Sequence, residues 1–203
     1  MQELDFFFSL AVLVMSVVIH EVAHGAMANR LGDPTARYLG RLTLNPAKHI
    51  DPVGSVIVPI ASYLLGGVIF GWAKPVPYNP YNLRDQKWGP ALVAAAGPLS
   101  NLSLAVLFAM IIRYGVALGL SAAFFQMASV IVIVNLVLAI FNLVPIPPLD
   151  GSKILYAVLP RDLYWLEEYL EQHGWIILLV FIFFFWSALS PIVYYLFRAL
   201  IGI

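Results

Sequence analysis

The chain has 203 residues, 62% of them apolar and only 11% charged, with eleven basic side chains balanced by eleven acidic ones and no cysteine. At a mean hydropathy of +0.89 this composition describes an integral membrane protein folded as one domain over 1–203. It excludes disulfides, cysteine-ligated zinc and thiol catalysis, and the balanced charge leaves no basic footprint for nucleic acid.

The first apolar run begins at Phe6 and continues to about Asn29, long enough to cross a hydrocarbon layer that needs roughly 20 helical residues. Its start, Met-Gln-Glu-Leu-Asp, has no basic n-region and the run is too long for an h-region, so it is expected to stay in the mature protein. Inside it stands His20-Glu21-Val22-Ala23-His24. Two histidines four apart lie on one helix face and reach one metal, while the Glu beside the first can touch a water on that metal. Ionisable groups at membrane depth each cost roughly 2–3 kcal/mol or more, so three within five residues need a common explanation. A metzincin continuation requires Gly at 27 and His at 30, where Met27 and Arg30 stand. The third ligand is therefore expected elsewhere, from His, Asp or Glu.

Residues 30–90 are less regular, broken by Asn45-Pro46, Asp51-Pro52, Gly54, Pro59, Gly66-Gly67 and prolines at 75, 77 and 80. Within them 53–71 is apolar enough to enter the bilayer, yet Pro59 and the glycines argue against a regular helix, and Val56, Ile57 and Val58 favour a strand. A short membrane-embedded β or irregular segment is expected at about 40–75, covered by protein or lining a wet cavity. Nine of the eleven basic residues fall in 30–90 or at Lys153 and Arg161. If 53–71 dips in and returns, the positive-inside rule puts all nine in the cytoplasm and the N-terminus outside.

Further spanning segments are expected at about 91–112, 124–144 and 175–201, the last kinked at Ser190-Pro191. After 124–144 come Pro145, Pro147 and Pro148, then Leu149-Asp150-Gly151. The prolines end the helix and deliver Asp150 to the same side of the bilayer as His20 and His24, making it the candidate third ligand. Alone, that tripeptide also reads as an ordinary turn with an exposed carboxylate. His49, beside Asp51, is expected to be structural, and His173 to lie in a loop. Asn101 is read as a packing residue beside Gly97.

Three motifs in order, His20 to His24, Ala96-Gly97-Pro98-Leu99-Ser100-Asn101, and Asn142 through Gly151, resemble the site-2 protease family of intramembrane zinc metalloproteases, peptidase family M50. Gly40 to Pro46 and His49-Ile50-Asp51-Pro52 are similar to its small prokaryotic branch, and neither a PDZ insert nor a CBS tail is expected. The resemblance implies an all-α polytopic membrane protein with about four to six transmembrane helices around one zinc ion. It implies zinc held by His20, His24 and Asp150, with Glu21 as general base and Asn142 near the reacting carbonyl. Asn135, one heptad before Asn142, shares its face roughly, and either amide can instead make an interhelical hydrogen bond.

The expected activity is zinc-dependent hydrolysis of peptide bonds within or near the transmembrane helices of membrane-protein substrates, in a prokaryotic cell membrane, with the site toward the cytoplasm. A strand edge at 53–60 is expected to hold the unwound substrate by backbone hydrogen bonds. A non-proteolytic membrane metal-binding protein is the alternative. A metal transporter would carry His, Asp or Glu along several helices, and 91–112, 124–144 and 175–201 contain none. Sequence leaves the natural substrate and the oligomeric state open.

Overall fold

The computed structural model describes residues 2–58, 61, 73–115 and 119–202. Among them there is no strand, and six α-helices carry the fold. Helix α1, Gln2–Arg30, runs 29 residues because nothing between 2 and 24 breaks an apolar helix: neither Pro nor Gly occurs there. It ends where Gly32 takes φ +114°. The Asp33 N–H then returns to the Ala28 carbonyl at 2.9 Å and the Gly32 N–H to Asn29 at 3.4 Å, a Schellman closure that satisfies the last carbonyls. The short helix α2, Thr35–Tyr38, follows.

Next come a 3₁₀ turn at Pro46–Lys48 and a π-helical turn at Val53–Ile57 with Val58 helical after it. This corrects the expectation of a strand: Val56, Ile57 and Val58 are helical, so local helical hydrogen bonding overrides β-branched preference here. The remaining residues of that expected segment, 59–60 and 62–72, lie outside the described residues, and so does the question of whether 53–71 crosses or returns. From Ala73 to Asn79 the chain has no regular secondary structure and forms a strap against α1, ending in a 3₁₀ turn at Pro80–Asn82.

Helix α3, Gly89–Gly115, begins where Asp85 Oδ1 accepts the Lys87 and Trp88 N–H groups, both at 2.8 Å. Helix α4, Ala122–Asn142, opens with Ser121 as N-cap, and it stops three residues before Pro145, as the steric demand of proline on its predecessors requires. Helix α5, Asp150–Val158, was not anticipated. Its first turn packs so closely on the end of α4 that a Cβ at Gly151 would overlap the Leu143 carbonyl. Helix α6, Tyr164–Ile201, bends by 70° between the pieces Arg161–Phe184 and Leu189–Ile201, close to the kink expected at Pro191. It starts eleven residues before the expected boundary, so His173 is helical and not in a loop; its Nδ1 lies 3.0 Å from the Tyr169 carbonyl, one turn back.

Helices α1, α3 and α4 are long and apolar enough to cross a membrane, and the bent α6 makes a fourth if counted as one span. Large apolar side chains such as Phe6, Phe7, Leu99, Leu107, Phe183 and Phe184 stand exposed on the outside, as lipid-facing residues do. Helix α3 is central, touching α1, α4, α5 and α6. Gly97, Asn101, Ala105 and Ala109 recur every four residues along it and are all buried, a stripe of small residues that lets helices approach without a water-driven force between them. Ala105 and Ala109 meet Val132 and Leu136 of α4 in the core.

Candidate metal centre

Helix α1 presents two faces near residue 22. His20 and His24, one turn apart, point at α3, and Glu21 and Gly25 point at the strap. Gly97 makes the first contact possible: a Cβ there would come to 2.5 Å from His24 Nε2 and 2.6 Å from His20 Cε1. Gly25 makes the second possible, since a Cβ would meet the Val76 side chain at 2.7 Å.

His20 Nδ1 lies 2.6 Å from Asn101 Oδ1 and His24 Nδ1 lies 2.7 Å from the Val93 carbonyl. Both partners are acceptors, so each Nδ1 carries the ring proton and each Nε2 is left with a bare lone pair. Those two Nε2 atoms are 2.9 Å apart. Asp150 Oδ2 lies 3.1 Å from one and 3.3 Å from the other, buried and with no hydrogen-bond donor. Three lone-pair atoms turned on one point repel one another unless a cation lies between them. Zinc bound at about 2.0–2.2 Å in a tetrahedron separates its ligand atoms by about 3.3 Å, close to these three distances. The residues therefore fit zinc.

Glu21 also comes near, with His20, Glu21 and His24 offering atoms within 4.8 Å of one another. Its Oε2, however, accepts the Val76 N–H at 2.7 Å, whereas Asp150 reaches both imidazoles more closely. Val76 sits between Pro75 and Pro77, so its N–H is the only backbone donor in that triplet. Arg41, itself buried, also fixes the strap, donating to the Lys74 carbonyl at 2.8 Å and the Pro75 carbonyl at 3.3 Å.

The structure thus gathers His20, His24, Asp150 and Glu21 in one place. Asn142, the last residue of α4, turns its Nδ2 back onto the Leu138 carbonyl at 2.9 Å. His49 is buried in its own loop, Nε2 2.9 Å from the Thr43 carbonyl. Two partners escaped the sequence reading. Asn101, taken for a packing residue, bonds His20, and the Val93 carbonyl bonds His24; the first contact spans 81 positions.

Residues 115–185 match the family model described as "Peptidase family M50". The chain is 38% identical over 174 residues to "Putative zinc metalloprotease YwhC" of Bacillus subtilis (strain 168), covering 83% of this chain and 76% of that one. The chain belongs to peptidase family M50. A second relative, "Putative zinc metalloprotease Rip2" of Mycolicibacterium smegmatis, is 33% identical over 74% of this chain and 56% of its own. "Putative zinc metalloprotease MJ0611" of Methanocaldococcus jannaschii is 30% identical over 75% of this chain and 71% of its own. No solved structure is significantly similar. As a member of M50 the protein is a zinc metalloprotease, and its helices suit the membrane setting of the family.

Proposed function

We propose that the chain is an intramembrane endopeptidase that hydrolyses peptide bonds within or near transmembrane helices of membrane-protein substrates, as a step of regulated intramembrane proteolysis. The supporting observation is that His20 and His24, which face Asp150, belong to a helix long and apolar enough to span the bilayer. A scissile bond must then come to membrane depth to be cut. In this reading His20, His24 and Asp150 hold the metal. Bound zinc supplies a Lewis acid and lowers the pKa of water to about 7.

Glu21 accepts the proton of the attacking water and passes it to the leaving amine. Its Oε2 is tethered to the Val76 N–H, leaving Oε1 to carry the proton. Asn142 supports the developing oxyanion once its Nδ2 turns away from the Leu138 carbonyl. With 53–71 returning to the side it left, the basic residues of 30–90, Lys153 and Arg161 support an orientation in which this end of the molecule faces the cytoplasm of a prokaryotic cell.

The test is cleavage of single-pass membrane proteins by the purified chain in detergent, with zinc measured by elemental analysis. Glu21→Gln should keep its zinc and lose at least about 10²-fold in rate, whereas His24→Ala and Asp150→Ala should lose both zinc and cleavage. Cleavage by Glu21→Gln at near-native rate would assign proton transfer to another group, and full zinc in both ligand variants would remove the ligand assignment.

A further inference from the structure

We infer that Asn101 is a positioning residue for the metal centre, its carboxamide locked by Asn135 and Ser16 so that it holds His20 with Nε2 open to the metal. The inference rests on the ligand role given to His20 above.

The direction of the amide is fixed by its partners. Asn101 Nδ2 donates to Asn135 Oδ1 at 2.9 Å and to the Ser16 carbonyl at 3.3 Å. A flipped amide would set its oxygen against two acceptors and its NH₂ against the proton on His20 Nδ1. Asn135 is fixed in turn, because its Nδ2 donates to Ser16 Oγ at 3.0 Å and to the Ile131 carbonyl at 2.9 Å. Both asparagines are fully buried and Ser16 is nearly so, and both Nδ2 groups have two acceptors each.

Ser16 and His20 lie one turn apart on α1, Asn101 on α3 and Asn135 on α4. The chain of bonds therefore joins three spanning helices and ends on a ring nitrogen. Amides that served only to join helices would be satisfied by each other and by carbonyls. Here the single acceptor of Asn101 is spent on the imidazole, which fixes the tautomer and ring plane that a metal ligand needs and makes its other nitrogen more basic.

The test is the apparent zinc dissociation constant, measured by chelator competition at fixed pH on the full chain in detergent, with thermal melting of the metal-free protein alongside. Asn101→Leu keeps the volume but removes the acceptor, and should weaken zinc by about 10–100-fold. Asn101→Asp keeps an acceptor for the Nδ1 proton and should bind zinc more tightly than Asn101→Leu, even if both melt lower. Asn135→Leu should fall between Asn101→Leu and the native chain. If both Asn101 variants lose metal-free stability but bind zinc equally, or if Asn101→Leu binds as the native chain does, the role is packing and the inference is overturned. His20→Ala separates the two readings, since unchanged zinc affinity in that variant removes the ligand assignment itself.

Discussion

At Gly97 the whole allowance between α3 and the two imidazoles is one hydrogen atom. Gly97→Ala places a methyl group 2.5 Å from His24 Nε2, and overpacking of this kind costs roughly 1–3 kcal/mol where the backbone can yield. The rings must turn, so zinc affinity should fall at least tenfold, on the order of the loss caused by misoriented ligands, while the protein remains folded. Chelator competition checks this. At Val76 the expectation runs the other way. Val76→Pro removes the one N–H that tethers Glu21 but touches neither imidazole, so zinc should stay while cleavage falls by up to about 10²-fold; loss of zinc in that variant would show that the strap shapes the metal site as well. The pairing of His20 with His24 was legible in the sequence because four-residue spacing is intrinsic to a helix. Asp150 was legible because prolines precede it and few carboxylates compete. Asn101 was not legible as His20's partner, since that contact depends on how α3 is rotated against α1, which no local pattern encodes.

Among the elements, the strap and the loop after α1 depend on Asp33. Its Oδ1 accepts the Thr35 hydroxyl at 2.6 Å, Asn82 Nδ2 at 2.9 Å and the Thr35 N–H at 3.3 Å, and its Oδ2 accepts the Asn79 N–H at 2.7 Å. Burial pushes this carboxyl up, but the hydrogen bonds from Thr35, Asn82 and Asn79 outweigh it and hold the group below the usual carboxylate range. A depressed carboxyl contributes stability above its ordinary pKa of about 4, and that stability is lost as pH falls through the folded value. Asp33→Asn should therefore be about 1–3 kcal/mol less stable near neutral pH, and the gap to the native chain should close below about pH 4. Melting temperatures of both proteins against pH measure it; a gap independent of pH would mean the charge is irrelevant. The three long apolar runs announced α1, α3 and α4 to within a few residues. Helix α5 was missed because nine residues after a proline turn carry too short a pattern. The start of α6 was misplaced because 164–174 is polar on much of its surface and has no apolar run to mark it.

For the whole molecule, the described helix ends agree with one arrangement. A Cβ at Gly202 would meet the Arg113 guanidinium at 3.1 Å, so the C-terminal ends of α3 and α6 lie together, and Arg113 and Arg198 both sit near that end. The proposed topology puts this end outside and the strap inside. Since the chain has no cysteine, single replacements report sidedness directly. Asp33 is too well bonded to replace, but Tyr38 and Tyr81 are 82% exposed. Cysteine at either position should resist an impermeant reagent added outside intact cells, and cysteine at Ala122 should react. Labelling at 81 but not at 38 would mean that the chain crosses the bilayer between them and would overturn the proposed sidedness. The three acceptors that meet at 2.9–3.3 Å are separated along the chain, two at 20 and 24 and one at 150. During synthesis the first helix enters the membrane with two of these three groups, and the carboxylate arrives only after α3 and α4 have been made. Under the proposed ligand set, a ribosome must pass residue 150 before the nascent chain can complete its metal site, so copies that end before Asp150 lack the third ligand.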